Sequence, residues 1–212
     1  MASSKPSRGD RGGGGRDVQL SKSLSWLCRH GAPKEGITVH SGGFLIVDDV
    51  LRLKQFRNFT VDDVRRVVES NAKQRFALEE EPQLMIRANQ GHSFEVPDLA
   101  LEPILSADEA PVVVHGTYLK AWPAIKERGL SKMSRTHVHF SPKEPDDDSV
   151  ISGMRASCQV LIYINMSKAL ADGLEFFKSA NDVILCAGDK DGCIAPRFFE
   201  RAVQRSDGSS LL

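Results

Sequence analysis

The eight residues SRTHVHFS, Ser134 to Ser141, place an arginine and two histidines at alternate positions. On a β-strand, alternate residues share a face, so Arg135, His137, His139 and Ser141 would line one side. Thr136, Val138 and Phe140 would line the other. One face is apolar and packable; the other consists of hydrogen-bonding or cationic groups and suits an anion. The bland alternative is a solvated sheet face. Zinc is the weaker chemical reading, because a His-x-His pair needs at least a third ligand and no HExxH or paired CxxC accompanies it. An arginine two residues away also repels a cation, so no metal is expected.

Four other segments put cations or polar groups where packing alone does not require them. LCRHG carries Arg29 and His30 at the end of a helical pattern, where a cation also complements the helix dipole. KQRFAL carries Arg75 beside Phe76 and Leu78, in a segment that reads as a strand. IRANQGHS groups Arg87, Gln90, His92 and Ser93 around a glycine, where donors can converge on a turn. HGT, His115 to Thr117, ends an apolar strand; His115 and Thr117 could bond a ribose or amide, and Gly116 would let a flat ring approach the backbone. Each segment alone is also compatible with ordinary solvated charge. Taken together they offer several guanidinium forks, each contributing roughly 1.5–3 kcal/mol in a charge-assisted bond to phosphate. Such a clamp would also stabilise charge developing on phosphorus during group transfer.

The elements that must position these groups can be read from periodicity. Leu20, Leu24 and Leu27 recur at helical spacing, with Asp17 as the expected cap and Gly31 and Pro33 as the stop. A short helix is expected near Val47, carrying Val50, Leu51 and Leu53. Another follows at TVDDVRRVVESN, with a capping box of Thr60 and Asp63 and a stripe of Val61, Val64, Val67 and Val68. QRFAL and LMIRA, joined by EEEPQ, read as a β-hairpin. Three helices followed by a two-stranded ribbon is the order of a winged helix. Beyond a proline-punctuated acidic stretch the grammar becomes strand-rich: VVVH, a helix at AWPAIKERGL ended by Gly129, then HVHFS, QVLIYIN and DVILC. VLIYI is apolar almost throughout, which predicts a central strand covered on both faces.

The expected class is therefore α+β and bilobal. The predicted segments are a disordered basic, glycine-rich tail at 1–16, a winged-helix-like lobe at 17–96, a linker at 97–110, a β-rich lobe at 111–205 and a flexible end at 206–212. Lys plus Arg equals Asp plus Glu at 28 each, so any anion site must come from local clustering rather than net charge. Cys28, Cys158, Cys186 and Cys193 show no CxxC or framework spacing, and no signal peptide or long apolar run is present. An intracellular location, cytoplasmic or nuclear, is expected, with each cysteine a small buried side chain and no membrane association.

LSKSLSWLCRHG, KQRFAL, IRANQGHS, VHGTYLKAWPAIKERGLSKMSRTHVHFS and FFKSANDVIL, in this order and spacing, closely resemble the tRNA 2′-phosphotransferase family over about residues 17 to 200. The resemblance implies an N-terminal winged-helix lobe for RNA and a C-terminal lobe of the ADP-ribosyltransferase fold. It implies a two-step reaction that consumes NAD⁺. An internal RNA 2′-phosphate expels nicotinamide, then the ribose 2″-hydroxyl attacks that phosphorus and releases repaired RNA and ADP-ribose 1″,2″-cyclic phosphate. The family's essential set falls on Arg29, His30, Arg75 and Arg135: Arg135 on the substrate phosphate, Arg29 and Arg75 completing the clamp, and His30 as phosphate donor or general acid/base. By the same resemblance the NAD⁺ pocket uses His115, Gly116 and Thr117, with His139 and Ser141 on the exposed side of their strand, and Arg155 and Asn181 as further candidates. Arg87, Gln90, His92 and Ser93 are expected to contact RNA or phosphate, or to support the site from behind. The partner implied is RNA, with no obligate protein partner.

Two positions depart from related patterns. Val183 stands where many ADP-ribosyltransferases place a late glutamate, which would repel an already anionic phosphate nucleophile. Asp182 stands where the family commonly has glycine. The alternatives to the leading reading are ADP-ribosylation of terminal nucleic-acid phosphates, and a non-catalytic winged-helix RNA adaptor.

Overall fold

The computed structural model describes residues 13–144 and 153–212. Positions 1–12 of the expected tail, and the Asp146 to Asp148 run, lie outside the described residues.

The chain enters through α1 (Gly13–Trp26), which runs directly into a π-helical turn, Leu27–Gly31. Leu20, Leu24 and Leu27 are fully buried, as their spacing requires. The helix begins four residues before the expected boundary, so 13–16 are not tail, and Asp17 is not its cap. The reason is tertiary: Asp17 accepts from Arg66 at 2.8 and 3.1 Å, and Arg16 pairs with Asp63 at 2.9 Å while covering the Phe59 ring. Next come β1 (Leu45–Ile46), α2 (Val47–Arg52) and α3 (Val61–Glu69). The α3 capping box forms as expected: Asp63 N–H donates to Thr60 Oγ1 at 3.2 Å, and Thr60 N–H to Asp63 Oδ2 at 3.0 Å.

The hairpin of β2 (Phe76–Glu79) and β3 (Met85–Ala88) pairs Phe76 with Ala88 and Glu79 with Met85. It is not two-stranded, because β1 adds to the free side of β3. Two residues are too few to show alternation in sequence. Arg75 lies one residue before β2 rather than within a strand; Gln74, with a φ of 43°, turns the chain there.

The remaining elements are β4 (Leu101–Ile104), β5 (Val114–Thr117), α4 (Trp122–Arg128), β6 (Leu130–Ser131), β7 (Val138–Phe140), β8 (Val160–Ile164), α5 (Met166–Ala171), β9 (Phe176–Ser179), β10 (Ile184–Cys186), β11 (Cys193–Ile194) and β12 (Phe199–Gln204). They form sheets ordered β12-β8-β5 and β4-β9-β10-β7, with a small β11-β6 pair. All five residues of β8 are buried between neighbours, as its apolar run predicts. The two larger sheets meet where Val114 and Ser141 exchange backbone hydrogen bonds at 3.1 and 2.8 Å.

Two ends of this half differ from expectation. The 97–110 segment is not merely a connector: β4 lies at the edge of its sheet, where Pro103 is tolerated because one side of the strand needs no donor. The 206–212 end is pinned: Ser210 bridges to Val203, Leu211 N–H donates to Ala202 at 2.9 Å, and Lys126 Nζ reaches the Leu211 carbonyl at 2.7 Å. Cys28, Cys158 and Cys186 are buried, while Cys193 is only partly so; it lies on the two-residue strand β11, and its thiol donates to the Arg128 carbonyl.

Buried apolar side chains form one cluster from Leu20 to Ala88, another from Ile104 to Ala202, and a small third of Val114, Cys158, Leu161 and Tyr163. Gly129, which ends α4 at φ 92° and ψ −179°, occupies backbone space that is almost exclusive to glycine. An added Cβ would stand 2.3 Å from the Ile194 carbonyl oxygen. Gly129→Ala is expected to lower unfolding stability by about 2–3 kcal/mol, read by urea denaturation; an unchanged midpoint would show that the β6–β11 contact gives way freely.

Candidate active site

The site is assembled by three backbone accidents that bring distant segments together. First, the π-turn closes with Ala32 N–H donating to the Leu27 carbonyl at 2.9 Å, and buries Leu27, Cys28 and Gly31. Arg29 and His30 are thereby turned to the opposite, partly open side. Gly31 is needed there because the Trp26 ring fills the space a Cβ would take, 2.4 Å away. Second, the 89–93 loop crosses that turn, with Ser93 N–H donating to the Arg29 carbonyl at 2.9 Å. Gly91, at φ 93°, permits this approach; its missing Cβ would lie 3.2 Å from Arg29 Nε. Third, Thr136 N–H donates to the His92 carbonyl at 3.0 Å, with its hydroxyl at 3.4 Å from the same oxygen. That tie joins the two halves of the chain and sets the neighbouring Arg135 beside Arg29.

The electrostatics follow from this convergence. Burial, then Arg135, then Arg75, pushes the Arg29 guanidinium down to about 10, and its Nε is buried without a partner. Among the described residues no carboxylate pairs with Arg29, Arg75 or Arg135. Arg75 is braced by Asn71, whose Oδ1 accepts from Arg75 Nη1 at 3.2 Å. Arg135 Nη1 points at His139 Nδ1 from 3.5 Å. Arg135 is exposed as a residue, yet enough protein surrounds its tip that burial, followed by Arg155, lowers its pKa. Burial, then Arg135, Arg29 and Lys34, lowers that of His30, whose Nδ1 sits 3.0 Å from Ser93 Oγ.

His139 and Ser141 do not lie on an exposed side. They are 8% and 0% exposed: Ser141 pairs with Val114 at the β5–β7 junction, and Arg135, Arg29, His137 and His115 stand around the His139 ring. Ser141 Oγ is committed to the Lys143 carbonyl at 2.9 Å. His139 keeps a buried, unpartnered Nε2, and burial followed by Arg135 drives its pKa to about 3. Nor does the shared face extend to Arg135 and His137. The strand begins only at Val138, and His137 turns its ring edge onto Phe177 while its Nδ1 meets Thr136 Oγ1 at 2.9 Å.

His115 donates from Nδ1 to the His139 carbonyl at 2.8 Å, since that oxygen can only accept, and burial lowers its pKa. Thr117 is buried, and its carbonyl accepts from Gln159 N–H at 2.7 Å. The space over Gly116 is filled by Met154, 2.4 Å from an added Cβ, and by Cys158, so glycine here admits a side chain of the chain itself rather than a flat ring. Arg155 lies near Tyr118 and near Arg135. Asn181 is 3% exposed and fully engaged: its amide donates to the Lys73 carbonyl at 3.1 Å and accepts from Ser179 Oγ at 3.0 Å. It is a strut between the two halves. Asp182 adopts φ 60°, the left-handed region that glycine enters freely and aspartate tolerates.

Arg87 is the member the structure removes from the cluster. Strand β3 alternates, burying Ile86 and Ala88 in the core and turning Arg87 away. It lies 4.8 Å over the Phe44 ring, donates to the Gly42 carbonyl at 3.3 Å, and lines a separate cavity of about 480 Å³ with His40, Glu79 and Asp98. Gln90 and His92 are buried, the latter at 1% exposure with both ring nitrogens unpartnered; burial, then Arg29, pushes His92 down to about 4. His92 contributes to the site through its carbonyl. Asn71, Lys73 and Met154 escaped the sequence reading, and Thr136 was read only as part of a strand face; the contacts of Thr136, Lys73 and Met154 are long-range, and no local spacing announces them.

The profile of the "RNA 2'-phosphotransferase, Tpt1 / KptA family" matches residues 15–188, which include every one of these side chains. The chain belongs to this family. It is 52% identical over 200 residues to tRNA 2'-phosphotransferase 1 of Danio rerio, covering 92% of this chain and 89% of that one. It is 50% identical over 193 residues to tRNA 2'-phosphotransferase 1 of Homo sapiens, covering 89% and 76%. It is 43% identical over 181 residues to tRNA 2'-phosphotransferase of Saccharomyces cerevisiae, covering 80% and 78%. Membership of the 2'-phosphotransferase family accords with an unpaired arginine cluster beside a histidine. Among the described residues no group of three His, Cys, Asp or Glu is placed to hold a metal ion, and no helix is long and apolar enough to cross a membrane.

Proposed function

We propose that this chain is an NAD⁺-dependent RNA 2′-phosphotransferase that removes the internal 2′-phosphate left at the splice junction of ligated tRNA. The observation that carries the reading is the convergence of Arg29, Arg75 and Arg135 beside His30, with no carboxylate among the described residues to neutralise them. Such a cluster is costly unless an anion occupies it, and a dianionic phosphate ester supplies the charge. The three-helix and three-strand N-terminal half is read as a winged-helix RNA lobe within 17–96, and the part after the 97–110 connector, 111–205, as an ADP-ribosyltransferase-type lobe.

The residues fit NAD⁺ on two counts. His139 Nε2 and Arg29 Nε are buried nitrogens without partners, and the Met154 side chain over Gly116 is flexible enough to swing aside. NAD⁺ would supply an electrophilic ribose carbon and a nicotinamide leaving group. His115, Gly116, Thr117 and His139 would hold it, with Arg155 close by. Ser141 and Asn181 would act indirectly, by fixing the β5–β7 junction and the contact with Lys73. Arg29, Arg75 and Arg135 would bind the 2′-phosphate, orient it towards the ribose and hold the negative charge of each transfer.

The test is to incubate the protein with an RNA bearing one internal 2′-phosphate, with and without NAD⁺, and follow phosphorus by ³¹P NMR. The expected result is a five-membered cyclic phosphate on ADP-ribose and a free RNA 2′-hydroxyl, only with NAD⁺. Untouched RNA, or inorganic phosphate released without NAD⁺, would overturn the proposal. A stable ADP-ribosylated RNA would confine the activity to the first step.

A further inference from the structure

Ser93 stands between two groups and has one hydrogen to give. Its Oγ lies 3.3 Å from the Arg29 carbonyl oxygen and 3.0 Å from His30 Nδ1. Both contacts are hydrogen bonds at once only when the hydroxyl hydrogen points to the carbonyl, which can only accept, and Oγ presents a lone pair to the imidazole. The Ser93 N–H donates to the same carbonyl at 2.9 Å, which anchors the residue on that side of the turn. In that arrangement Nδ1 carries the ring's proton when His30 is neutral. The charged or titratable groups around the ring are Arg29, Arg135, Lys34 and His92, and none of them favours a second proton.

We infer that Ser93 is a positioning residue that fixes the tautomer of His30, leaving Nε2 as the unprotonated base of the transesterification step. The inference rests on the reaction proposed above and decides between two jobs that a histidine could do there. A donor to phosphate needs its proton on Nε2; a base needs Nε2 bare. As the ribose 2″-oxygen bonds to phosphorus, its proton passes to Nε2 and the bond from phosphorus to the RNA 2′-oxygen breaks. That departing oxygen then takes the proton back from Nε2, so atoms and charge balance with no further reagent.

Two measurements test this. In protein with ¹⁵N-labelled histidine, long-range ¹H–¹⁵N correlation above the ring's titration reports which nitrogen is protonated, and His30→Gln identifies the signal by its loss. The proton is expected on Nδ1 in wild type and in Ser93→Thr, and to redistribute towards Nε2 in Ser93→Ala. In single-turnover kinetics, Ser93→Ala should slow the decay of ADP-ribosylated RNA about tenfold while its formation is unchanged, with Ser93→Thr restoring the decay. The decay rate should fall as pH drops through the lowered His30 pKa in all three proteins, because only the neutral ring is a base; Ser93→Ala lowers the plateau. A proton found on Nε2 in wild type, an unchanged tautomer in Ser93→Ala, or equal slowing of both steps would overturn the inference. The tautomer is read without RNA or NAD⁺, so that result stands apart from whether the chain turns over.

Discussion

Arg135→Lys is expected to turn over 2′-phosphorylated RNA roughly 10²-fold more slowly than wild type, although the charge is kept. The guanidinium holds one nitrogen towards His139 Nδ1 at 3.5 Å and stands near Arg29 and His30. An ammonium on a flexible stem is a point charge; it can meet one oxygen but cannot hold two in a fixed plane. Because Arg135 is exposed and no described carboxylate pairs with it, folding stability should move by less than about 0.5 kcal/mol. Single-turnover rates beside a urea denaturation curve separate the two effects. Equal turnover by the lysine variant would remove Arg135 from the phosphate.

Arg29→Met is expected to abolish that turnover and yet raise stability at neutral pH, by on the order of 1–3 kcal/mol. Arg29 is held down to about 10 by burial and by two arginines, so its charged form is penalised in the folded protein. A cation with a depressed folded pKa destabilises at every pH below that value, and the penalty lifts as pH rises through about 10. Methionine keeps the length and the packing of the stem without the charge. The stability gap should therefore be full at pH 7 and shrink above pH 10. Inorganic phosphate should raise the wild-type Tm and leave the variant's unchanged, since an anion that binds only the folded cluster stabilises by mass action. A variant less stable than wild type at pH 7, or equally responsive to phosphate, would show that the three guanidinium groups do not share one anion site.

Local periodicity was enough where a residue's neighbours in sequence are also its neighbours in space. The buried leucines of α1, the Thr60–Asp63 box, the hairpin of β2 and β3, and the covered strand β8 were all legible on that basis. Residue types also flagged Arg29, His30, Arg75 and Arg135 as groups with more donors than packing needs. Strands β1 and β11, of two residues each, were not legible, because their alternation is too short to register.

What the tertiary structure alone decided is which of those groups meet. The Thr136 to His92 hydrogen bond spans 44 positions and joins Arg135 to Arg29, whereas the alternation of β3 sends Arg87 to another cavity. The polar side of β7 is buried among groups from other segments, Arg29 and His115 among them, which SRTHVHFS does not carry. The crossing of the 89–93 loop over the π-turn, where Ser93 N–H meets the Arg29 carbonyl, and the strut from Asn181 to Lys73 likewise depend on partners far along the chain. Sequence spacing encodes the direction a side chain leaves its own backbone; it does not encode what stands there to receive it, and that is set only when separate segments pack.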